Sequence, residues 1–483
     1  MHSPTIAFLL ADSISAKAED ELRLSVPKEH RASLSFTRVD VASVSEINAI
    51  LASLTCEFVA IVHSPLTFET RAFALLISAL QAIQVPDVTY ADSVEERPGS
   101  TGTVILRPDF SPERLRSQNY LGDVLVYRTS FLQGIGGVRQ GLGSATFFDL
   151  ALRATAQAKL VSHVASVLYR SSNSQGAVFR EHELRHALND HLEATGGGRV
   201  VSVGINGVYD TRREVKGKPL VSIVIPTRGV STVYDGTESC LVVDAVRSVI
   251  EKTTYENFEI VVVVDSVAEP KVLDALKTIA GTRLRLVEWK HPFNFSQKMN
   301  YGVLHAEGEF VLLLNDDVQV LTGEWLESML ALAQLPNAGM VGAMLYYDDD
   351  TIQHAGHAYY QGSPTHIGLG VPRGSAGPGN GYLVEREVSG VTAACAIMPL
   401  AVFTAVGGFT ALLPGNFNDV DLCLKVGWKG YDIYWTPHAE LYHFESKTRD
   451  AHVHFYELDV IEHRWGLRLD DPRYWRGHPE SAV

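Results

Sequence analysis

The residues best suited to chemistry are two groups of acids in the C-terminal half and a histidine beyond them. The apolar run 310–314 ends in Asn315, Asp316 and Asp317. In an open α/β sheet, ligands bind beyond the carboxyl ends of the strands, which is where this pair of carboxylates lies. The two carboxylates repel each other, and a hard divalent cation shared with a phosphate would offset that repulsion. Taken alone, the same run also fits a strand-terminating turn in which Asn and Asp bond locally.

The second acidic group comes just before a helical pattern at 422–429, which Gly430 would end. It contains Asn418, Asp419 and Asp421. N-capping by Asn418 or Asp419 accounts for one of these side chains, and Asp421 is favourable in a first turn. Residues two positions apart cannot share a helix face, so at most one of Asp419 and Asp421 points into a site.

The third candidate is His443, which ends the strand-like segment 439–443. A lone histidine is more often a surface or core residue than a metal ligand. In combination with Asp317 it becomes a candidate ligand, because imidazole suits a borderline metal such as manganese.

Length and composition limit what these groups can belong to. A chain of 483 residues predicts two or three domains. The 41 basic and 56 acidic residues give a net charge of −15, which argues against a nucleic-acid backbone as the main partner. The cysteines lack zinc-site spacing and indicate buried thiols in a reducing compartment: Cys56, Cys240, Cys395 and Cys423.

No targeting segment is predicted from the sequence. The apolar run 6–10 lacks a basic flank and a cleavage site, and it is typical of a first strand rather than a signal peptide. No apolar run approaches the ~20 residues that a membrane span requires. We therefore expect a cytoplasmic protein.

Strand and helix patterns alternate through the C-terminal half and predict a right-handed α/β sheet. The apolar runs are 221–225, 259–264 and 310–314, and the helical patterns are 242–252, 272–280 and 296–305. The first set predicts parallel strands covered on both faces. The glycine- and proline-rich stretch 362–381 is too long for a simple turn and predicts a mobile functional loop.

An internal repeat relates the two halves of the chain. The residues before His63 resemble those before Asn315, and later matches pair 148–153 with 420–425 and 167–169 with 440–442. Aligned in this way, Pro65, Phe147 and Arg170 stand where Asp317, Asp419 and His443 stand in the second copy. Since proline has no ligand atom and phenylalanine accepts no proton, we expect the first copy to be catalytically inactive.

Several motifs together resemble glycosyltransferase family 2, whose members have the GT-A fold. They are the strand and turn through Pro226, Thr227 and Arg228, Asp265 at the end of the second strand, and the two acidic groups. The resemblance covers residues 220–449 and extends to bacterial enzymes of O-antigen and capsule synthesis of the rhamnosyl- or galactosyltransferase-like type. Phrases such as 292–296 and 351–356 carry this part of it.

The resemblance implies the domain organisation. We expect a degenerate GT-A-like domain over 1–195, a linker over 196–219 and a catalytic Rossmann-like GT-A domain with a helical tail over 220–483. Relatives also carry a degenerate first domain, with phrases resembling 107–110 and 117–120. Its role is left open between packing on the catalytic domain, homo-oligomerisation and holding an acceptor glycan.

The resemblance also implies an activity of the hexosyltransferase type. A sugar would pass with inversion from a nucleotide-diphosphate donor to a hydroxyl of a glycan or lipid-linked glycan, with Mn²⁺ or Mg²⁺ as cofactor. Asp317 and His443 would bind the metal, and Asp419 would be the general base. The donor side would comprise Pro226, Thr227, Arg228, Asp265, Lys298, Asn300, Asn315 and Asp316, and the acceptor side Thr392, Ala393, Ala394 and Asp421. Lys298 fits an ordinary solvated helix face equally well, and Asn418 departs from the glutamate of many relatives.

Two other enzyme classes and one class of binding protein are alternatives to a glycosyltransferase. A sugar nucleotidyltransferase needs a glycine-rich basic loop after its first strand, and the sequence there has one glycine and one basic residue. A dehydrogenase would need a glycine fingerprint between strand and helix. A glycan-binding protein with two inactive halves is the alternative from outside the enzymes. Tryptophans and arginines near the C-terminus allow a peripheral membrane contact, although they fit a packed tail better: Trp465, Trp475, Arg464, Arg468, Arg473 and Arg476.

Overall fold

The computed structural model describes residues 3–96, 102–171, 179–204, 207–234, 237–444 and 453–476. The end of the stretch that resembles the family, near residue 449, thus lies outside the described residues. The chain divides into two compact units, Met1–Arg212 and Arg213–Val483. Helices within the described ranges are all too short or too polar to cross a membrane.

The first unit is built on a mixed sheet flanked by helices. Its strands are β1 (Ile6–Ala11), β2 (Leu34–Val39), β3 (Phe58–Val62), β4 (Leu66–Phe68), β5 (Val88–Glu95), β6 (Thr103–Ile105), β7 (Val126–Arg128), β8 (Val161–Ser171), β9 (Arg199–Val203) and β10 (Tyr209–Arg212). Its helices are α1 (Ala16–Ser25), α2 (Val44–Ser53), α3 (Thr70–Leu80), α4 (Pro112–Ser117), α5 (Thr129–Gly134), α6 (Thr146–Gln157) and α7 (Glu181–Ala194). The main sheet has the order β2-β1-β3-β7-β5-β8-β4.

The second unit repeats this layout with an added strand at one edge. Its strands are β11 (Val221–Thr227), β12 (Thr232–Tyr234), β13 (Thr237–Ser239), β14 (Phe258–Asp265), β15 (Leu284–Trp289), β16 (Phe310–Leu314), β17 (Val318–Val320), β18 (Ala338–Tyr346), β19 (Ile352–His354), β20 (His357–Tyr360), β21 (Ser363–His366), β22 (Arg386–Glu387), β23 (Cys395–Pro399) and β24 (Asp432–His443). Its helices are α8 (Leu241–Lys252), α9 (Pro270–Ala280), α10 (Phe295–Val303), α11 (Trp325–Ala333), α12 (Leu400–Ala405), α13 (Asn418–Trp428) and α14 (Phe455–Trp465). The main sheet has the order β15-β14-β11-β16-β23-β18-β24-β17.

The predicted parallel strands form the middle of this second sheet. Strand β11 pairs in parallel with β14 on one side and β16 on the other. Alternate side chains of β11 enter the cores on opposite faces, Ile223 on one and Val224 on the other. Helices α8, α9 and α11 cover the first face, and α10, α12 and α13 cover the second. Because both faces are buried, the strands read as continuous apolar runs, and the prediction of an α/β sheet is confirmed.

The two sheets share pairing orientation as well as order. Strands β3 and β7 are antiparallel, as are β16 and β23, while β5 and β8 are parallel, as are β18 and β24. The edge strands also correspond, because Leu66 pairs with Ser171 as Val318 pairs with His443. The internal repeat in the sequence therefore marks two copies of one fold.

The boundary between the units differs from the predicted linker over 196–219. Strands β9 and β10 form an antiparallel hairpin, and the Arg116 guanidinium of α4 donates to the Thr211 carbonyl at 2.9 Å. Most of the predicted linker is therefore part of the first unit, which ends at Arg212.

Two segments that the sequence analysis singled out, the glycine-rich stretch 362–381 and the C-terminal tail, make defined contacts in the second unit. The glycine-rich stretch 362–381 contains β21, and its Arg373 pairs with Glu440 at 3.0 Å. In the tail, the Trp475 ring stacks on Tyr382 and Arg468 lies 3.9 Å over the ring of Trp428. These contacts support the packed tail over a membrane contact.

Candidate active site

Two strand ends meet at one edge of the second sheet and are joined by a lysine. Thr227 ends β11, Asp265 ends β14, and the Lys298 side chain comes from α10. Its ammonium donates to the Thr227 carbonyl and to the Asp265 carboxylate, both at 2.5 Å. Lys298 is only 2% exposed, so the alternative of a solvated helix face is wrong. Burial lowers the pKa of Lys298 even though Asp265 opposes that shift.

Asp316 follows β16 and faces the same strand ends. Burial and then the charge of Asp317 raise the pKa of Asp316 to about 7, although a hydrogen bond with Thr227 favours its ionised form. Pro226 is buried in β11, whereas Arg228 is exposed just beyond it. The predicted donor-side residues 226–228, 265, 298 and 316 thus lie at one edge of the sheet.

Asp317 and His443 meet across the pairing of β17 with β24. The His443 Nε2 atom lies 3.2 Å from Asp317 Oδ1, and the Asn315 amide donates to the same Nε2 at 3.1 Å. On the other side of the ring, His443 Nδ1 lies 2.6 Å from Gln353 Oε1. The Gln353 amide group donates to the His443 carbonyl at 3.3 Å, so its oxygen is the atom that faces the ring. In its neutral form His443 therefore donates from Nδ1 and has its lone pair on Nε2.

This arrangement fits a divalent cation. With the proton on Nδ1, the Nε2 lone pair of His443 and the carboxylate oxygen of Asp317 are two acceptors 3.2 Å apart. Two ligands at right angles on an ion with bonds of ~2.1 Å lie about 3.0 Å apart. A second hydrogen bond that fixes the free nitrogen of a histidine is also usual for metal ligands. An imidazole and a carboxylate form a donor set that suits manganese or zinc better than calcium.

Asp419 lies in the first turn of α13. The preceding Phe417 has a left-handed backbone, with φ of 56°, and caps the helix without a side-chain hydrogen bond. N-capping by Asn418 or Asp419 is therefore wrong, because the helix already begins at Asn418. One carboxylate oxygen of Asp419 accepts from the Val420 amide at 2.8 Å. The other accepts from the Ala393 amide at 3.4 Å.

Ala393 and Ala394 connect the two acidic groups. The Ala393 backbone amide contacts Asp419, and the Ala394 carbonyl accepts from the backbone amide of Asn315 at 3.0 Å. The neighbouring Thr392 amide donates to His354 Nε2 at 3.2 Å. The predicted acceptor-side segment 392–394 thus lies between the predicted metal ligands and Asp419, and both acidic groups share one edge of the sheet.

Two predicted site residues have structural roles instead, and the repeat shows it. The Asn300 side chain accepts from the Phe409 amide at 2.8 Å and donates to the Phe409 carbonyl at 2.9 Å. In the first unit Asn48 makes the same pair of bonds to Val138, at 3.0 and 2.9 Å. The assignment of Asn300 to the donor is wrong, because its amide is used to hold the chain after α12.

Asp421 is likewise buried and fully bonded. It is 0% exposed and accepts from Thr410, Arg464 and Trp465 at 2.5, 2.7 and 2.8 Å. Asp149, its counterpart in α6, is also buried and accepts from two arginines. The assignment of Asp421 to the acceptor side is therefore wrong, since its carboxylate anchors the C-terminal tail to α13.

At the corresponding edge of the first unit, Pro65 and Phe147 stand in place of Asp317 and Asp419. The His63 ring packs on Phe147 with centroids 4.0 Å apart, and burial lowers the pKa of His63 to about 4. By strand register the counterpart of His443 is Ser171, not Arg170 as the sequence alignment has it. The buried Ser171 hydroxyl donates to Asp123 at 3.2 Å.

Sequence patterns missed the residues that surround His443 and segment 392–394. Gln353 and His354 lie in β19, and His354 Nδ1 is 2.9 Å from His366 Nδ1. His357 completes a group of three imidazoles. The sequence feature that could have pointed to these residues is the segment 351–356, which contributes to the family resemblance but whose spacing indicates no role.

Residues 222–376 match the family model described as glycosyl transferase family 2. The match includes Thr227, Asp265 and Asp317 but ends before Asp419 and His443.

Two curated relatives align along most of the chain. The uncharacterized protein y4gI of Sinorhizobium fredii (strain NBRC 101917 / NGR234) is 32% identical, with 96% of this chain and 53% of that protein covered. The O-antigen biosynthesis protein RfbC of Myxococcus xanthus is 29% identical, with 89% of this chain and 34% of that protein covered. The chain thus spans about half or less of these relatives.

Solved structures overlap with about half of the chain. A mannosyltransferase, PcManGT from Pyrobaculum calidifontis in complex with GDP-Man and Mn²⁺, has a TM-score of 0.35 at 17% identity, covering 49% of this chain and 60% of its own. GalNAc-T7 with UDP, GalNAc and Mn²⁺ has a TM-score of 0.41 at 13% identity, covering 56% and 52%. On the family match and the strand order, the second unit carries a glycosyltransferase family 2 domain with the GT-A fold.

Proposed function

We propose that the chain is a metal-dependent, inverting glycosyltransferase whose active site lies in the second unit. The donor would be a nucleotide-diphosphate sugar, and the acceptor a hydroxyl of a glycan or lipid-linked glycan in bacterial surface polysaccharide synthesis. The main support is the pair Ala393–Ala394, whose backbone links Asp419 to the cluster around His443. The proposed metal ligands and the proposed base thus share one edge of the sheet, where ligands of such folds bind.

Asp317 and His443 would hold the divalent cation. Such an ion, when bound, stabilises the negative charge that develops on a departing nucleoside diphosphate. The residues of this chain complete the donor side, with Asp265 and Lys298 at the strand ends beyond β14 and β11. Lys298 fixes the Asp265 carboxylate, and we assign it a positioning role rather than a direct contact with the donor.

Asp419 would act as the general base. Its carboxylate would accept the proton of the acceptor hydroxyl as that oxygen bonds to the anomeric carbon and the bond to the diphosphate breaks. Attack from the face opposite the leaving group inverts the anomeric configuration and needs no covalent sugar–enzyme intermediate. A positioned base of this kind contributes ~10²–10⁴-fold to a rate.

The first unit would be catalytically inactive. Its His63–Phe147 contact occupies the place that Asn315 and Asp419 take in the second unit. The two bonds shared by Asn48 and Asn300, and the buried carboxylates of Asp149 and Asp421, indicate that what the two units retain in common is structural.

Donor hydrolysis by the purified chain tests the proposal. A panel of nucleotide sugars is incubated with Mn²⁺, and released nucleoside diphosphate is measured for the wild type and two variants. Asp419→Asn is expected to abolish release of the nucleoside diphosphate with metal-dependent donor binding nearly intact, whereas Asp317→Ala weakens both. Phe147→Leu in the first unit is the matched control and is expected to leave turnover unchanged.

Thermal melting separates chemistry from folding. The wild type and both site variants should melt within a few degrees of one another. If no donor is bound or hydrolysed by the wild type, the enzyme proposal fails. Equal loss of folding in Asp419→Asn and Asp317→Ala would assign both residues to the structure instead.

A further inference from the structure

Two adjacent side chains of strand β19 contact the two parts of the candidate site, namely the cluster around His443 and the segment 392–394 beside Asp419. Gln353 bonds to His443 at 2.6 Å, and His354 accepts from the Thr392 amide at 3.2 Å. Both side chains are buried, at 3% and 0% exposed. One short strand therefore holds a predicted metal ligand with one residue and the segment beside the predicted base with the next.

Gln353 decides which nitrogen of His443 is free. Its amide oxygen accepts from Nδ1, and its amide nitrogen is engaged by the carbonyl of the same histidine. With Nδ1 protonated, the lone pair stays on Nε2, which faces Asp317 at 3.2 Å. Loss of the Gln353 oxygen would let the ring change tautomer or rotate, and either change would misplace the lone pair.

His354 acts on the other half of the site. The amide that it holds belongs to Thr392, and the next amide, that of Ala393, contacts Asp419 at 3.4 Å. Burial, followed by the neighbouring imidazole of His366, lowers the pKa of His354 well below its ordinary value. A neutral ring with an unprotonated Nε2 is what accepting an amide N–H requires.

A metal ion on the three imidazoles explains these contacts less well. His354, His357 and His366 offer nitrogens within 4.8 Å of one another. However, His354 already accepts an amide proton at Nε2, so its Nδ1 carries the proton of the neutral ring and donates toward His366 at 2.9 Å. A cation at Nδ1 would remove that proton and leave the ring as an imidazolate, which is an uncommon ligand.

The first unit supplies an internal comparison. Its strand β6 pairs with β5 as β19 pairs with β18, and Ile105 takes the place of His354. Ile105 lacks side-chain donors and acceptors, whereas Gln353 has no paired counterpart in β6, because it is the extra residue at a register shift between β18 and β19. The His354 imidazole is therefore present in the unit that has Asp317, Asp419 and His443, and an apolar side chain replaces it in the other unit, where Gln353 has no counterpart.

We infer that Gln353 and His354 are positioning residues, the first for the metal ligand His443 and the second for segment 392–394 beside Asp419. This inference rests on the proposed function. It predicts that two neighbouring substitutions have separable effects, one on metal affinity and one on turnover. A purely structural strand would give the same effect from either position.

Titration of Mn²⁺ alone into the full chain tests Gln353. Gln353→Leu keeps the volume but removes the acceptor, and it is expected to weaken Mn²⁺ binding by about 10–100-fold. Gln353→Glu keeps an acceptor for Nδ1 and is expected to recover most of the affinity. Ile352→Val, in the same strand and fully buried, is the matched control and should bind Mn²⁺ as the wild type does.

Hydrogen exchange and turnover test His354. His354→Leu is expected to speed exchange at the Thr392 amide and to lower kcat for donor hydrolysis about tenfold or more, with Mn²⁺ affinity unchanged. His354→Gln places an amide oxygen near the position of Nε2 and should restore protection of that amide.

The outcomes distinguish this inference from the proposed function. A wild type that binds no Mn²⁺ and hydrolyses no donor overturns the proposed function, and the inference with it. A wild type that does both, with Gln353→Leu binding Mn²⁺ normally or with Ile352→Val equally impaired, overturns the inference alone. Stoichiometric Zn²⁺ that survives Asp317→Ala and is lost on adding His366→Ala would assign the imidazoles to a metal and overturn the role of His354.

Discussion

Replacing Asp421 separates a structural carboxylate from the proposed catalytic carboxylate of Asp419, two residues away. Asp421 is fully buried and bonded to Thr410, Arg464 and Trp465, whereas Asp419 is half-buried and accepts two backbone amides. Asp421→Asn keeps the shape of the side chain and removes its charge. It is expected to destabilise the second unit while leaving Mn²⁺ binding unchanged, because no predicted ligand contacts it.

The size of the effect follows from the contacts. Removing one partner of a buried ion pair costs about 3–5 kcal/mol because the other charge is left uncompensated. The Arg464 side chain is 38% exposed and regains water, while Lys425, 3.5 Å away, is 14% exposed. We therefore expect a loss at the lower end, about 3 kcal/mol. For a unit of this size each kcal/mol shifts Tm by about 2–4 °C, which gives a fall of roughly 6–12 °C.

Calorimetric melting of the wild type, Asp421→Asn and Asp419→Asn checks this expectation. Asp419→Asn should melt near the wild type and lose transfer, and Asp421→Asn should melt lower and keep measurable donor hydrolysis below its Tm. An Asp421→Asn variant with an unchanged Tm and no transfer would refute the structural assignment and return Asp421 to the acceptor side.

The same carboxylate should make stability depend on pH. Burial alone would raise the pKa of Asp421, but hydrogen bonds from Thr410, Trp465 and Arg464 and the charge of Lys425 outweigh it and lower that pKa. The folded pKa thus lies below the unfolded value near 3.9. The stabilisation is complete above that value and is lost as the pH falls through the folded pKa. The Tm difference between wild type and Asp421→Asn should therefore narrow below about pH 4.

Three further predictions concern the strand ends, the repeat and the metal. Lys298→Met leaves Asp265 without its buried cation, and calorimetry with nucleoside diphosphates and Mn²⁺ should show binding weakened about tenfold or more. Asn300→Ala and Asn48→Ala should each destabilise their own unit by about 1–2 kcal/mol in melting experiments, with donor binding unaffected by either. Chelation of divalent ions should abolish donor hydrolysis, and added Mn²⁺ should restore it; hydrolysis that persists in the chelator would contradict the cofactor assignment.

The layout of the second unit could be predicted from its sequence because its core strands are continuous apolar runs. The predicted run 310–314 coincides with β16, and 221–225 falls within β11. The polar residues after such strands can be identified as candidate site residues, because their hydrogen-bonding groups must be paired by water or a ligand. The boundary between the units was less accessible, since the hairpin of β9 and β10 is short and polar and is held by a distant arginine, Arg116.

Roles within the site depend on which partner each side chain meets. Asn300 and Asp421 have the residue types of ligand-binding groups, and only their bonds to Phe409 and to the C-terminal tail reveal structural roles. Gln353 is neutral and common on protein surfaces, so its contact with His443 has no sequence signature. The one-residue error that matched His443 with Arg170 arose because local similarity does not fix strand register, whereas backbone pairing does.

The sequence by itself determined that this chain holds two copies of one α/β fold and that the second copy has Asp317 and Asp419 where the first has Pro65 and Phe147. It could do so because buried strands require apolar runs and acid–base or metal chemistry requires ionisable groups, and both can be recognised from residue types. Tertiary structure alone decided which polar groups serve the site. The Asp421 carboxylate, which accepts from several donors, stabilises the fold, whereas the Asp419 carboxylate at the sheet edge stays accessible. The difference arises because the role of a side chain is set by contacts with residues far from it in the chain.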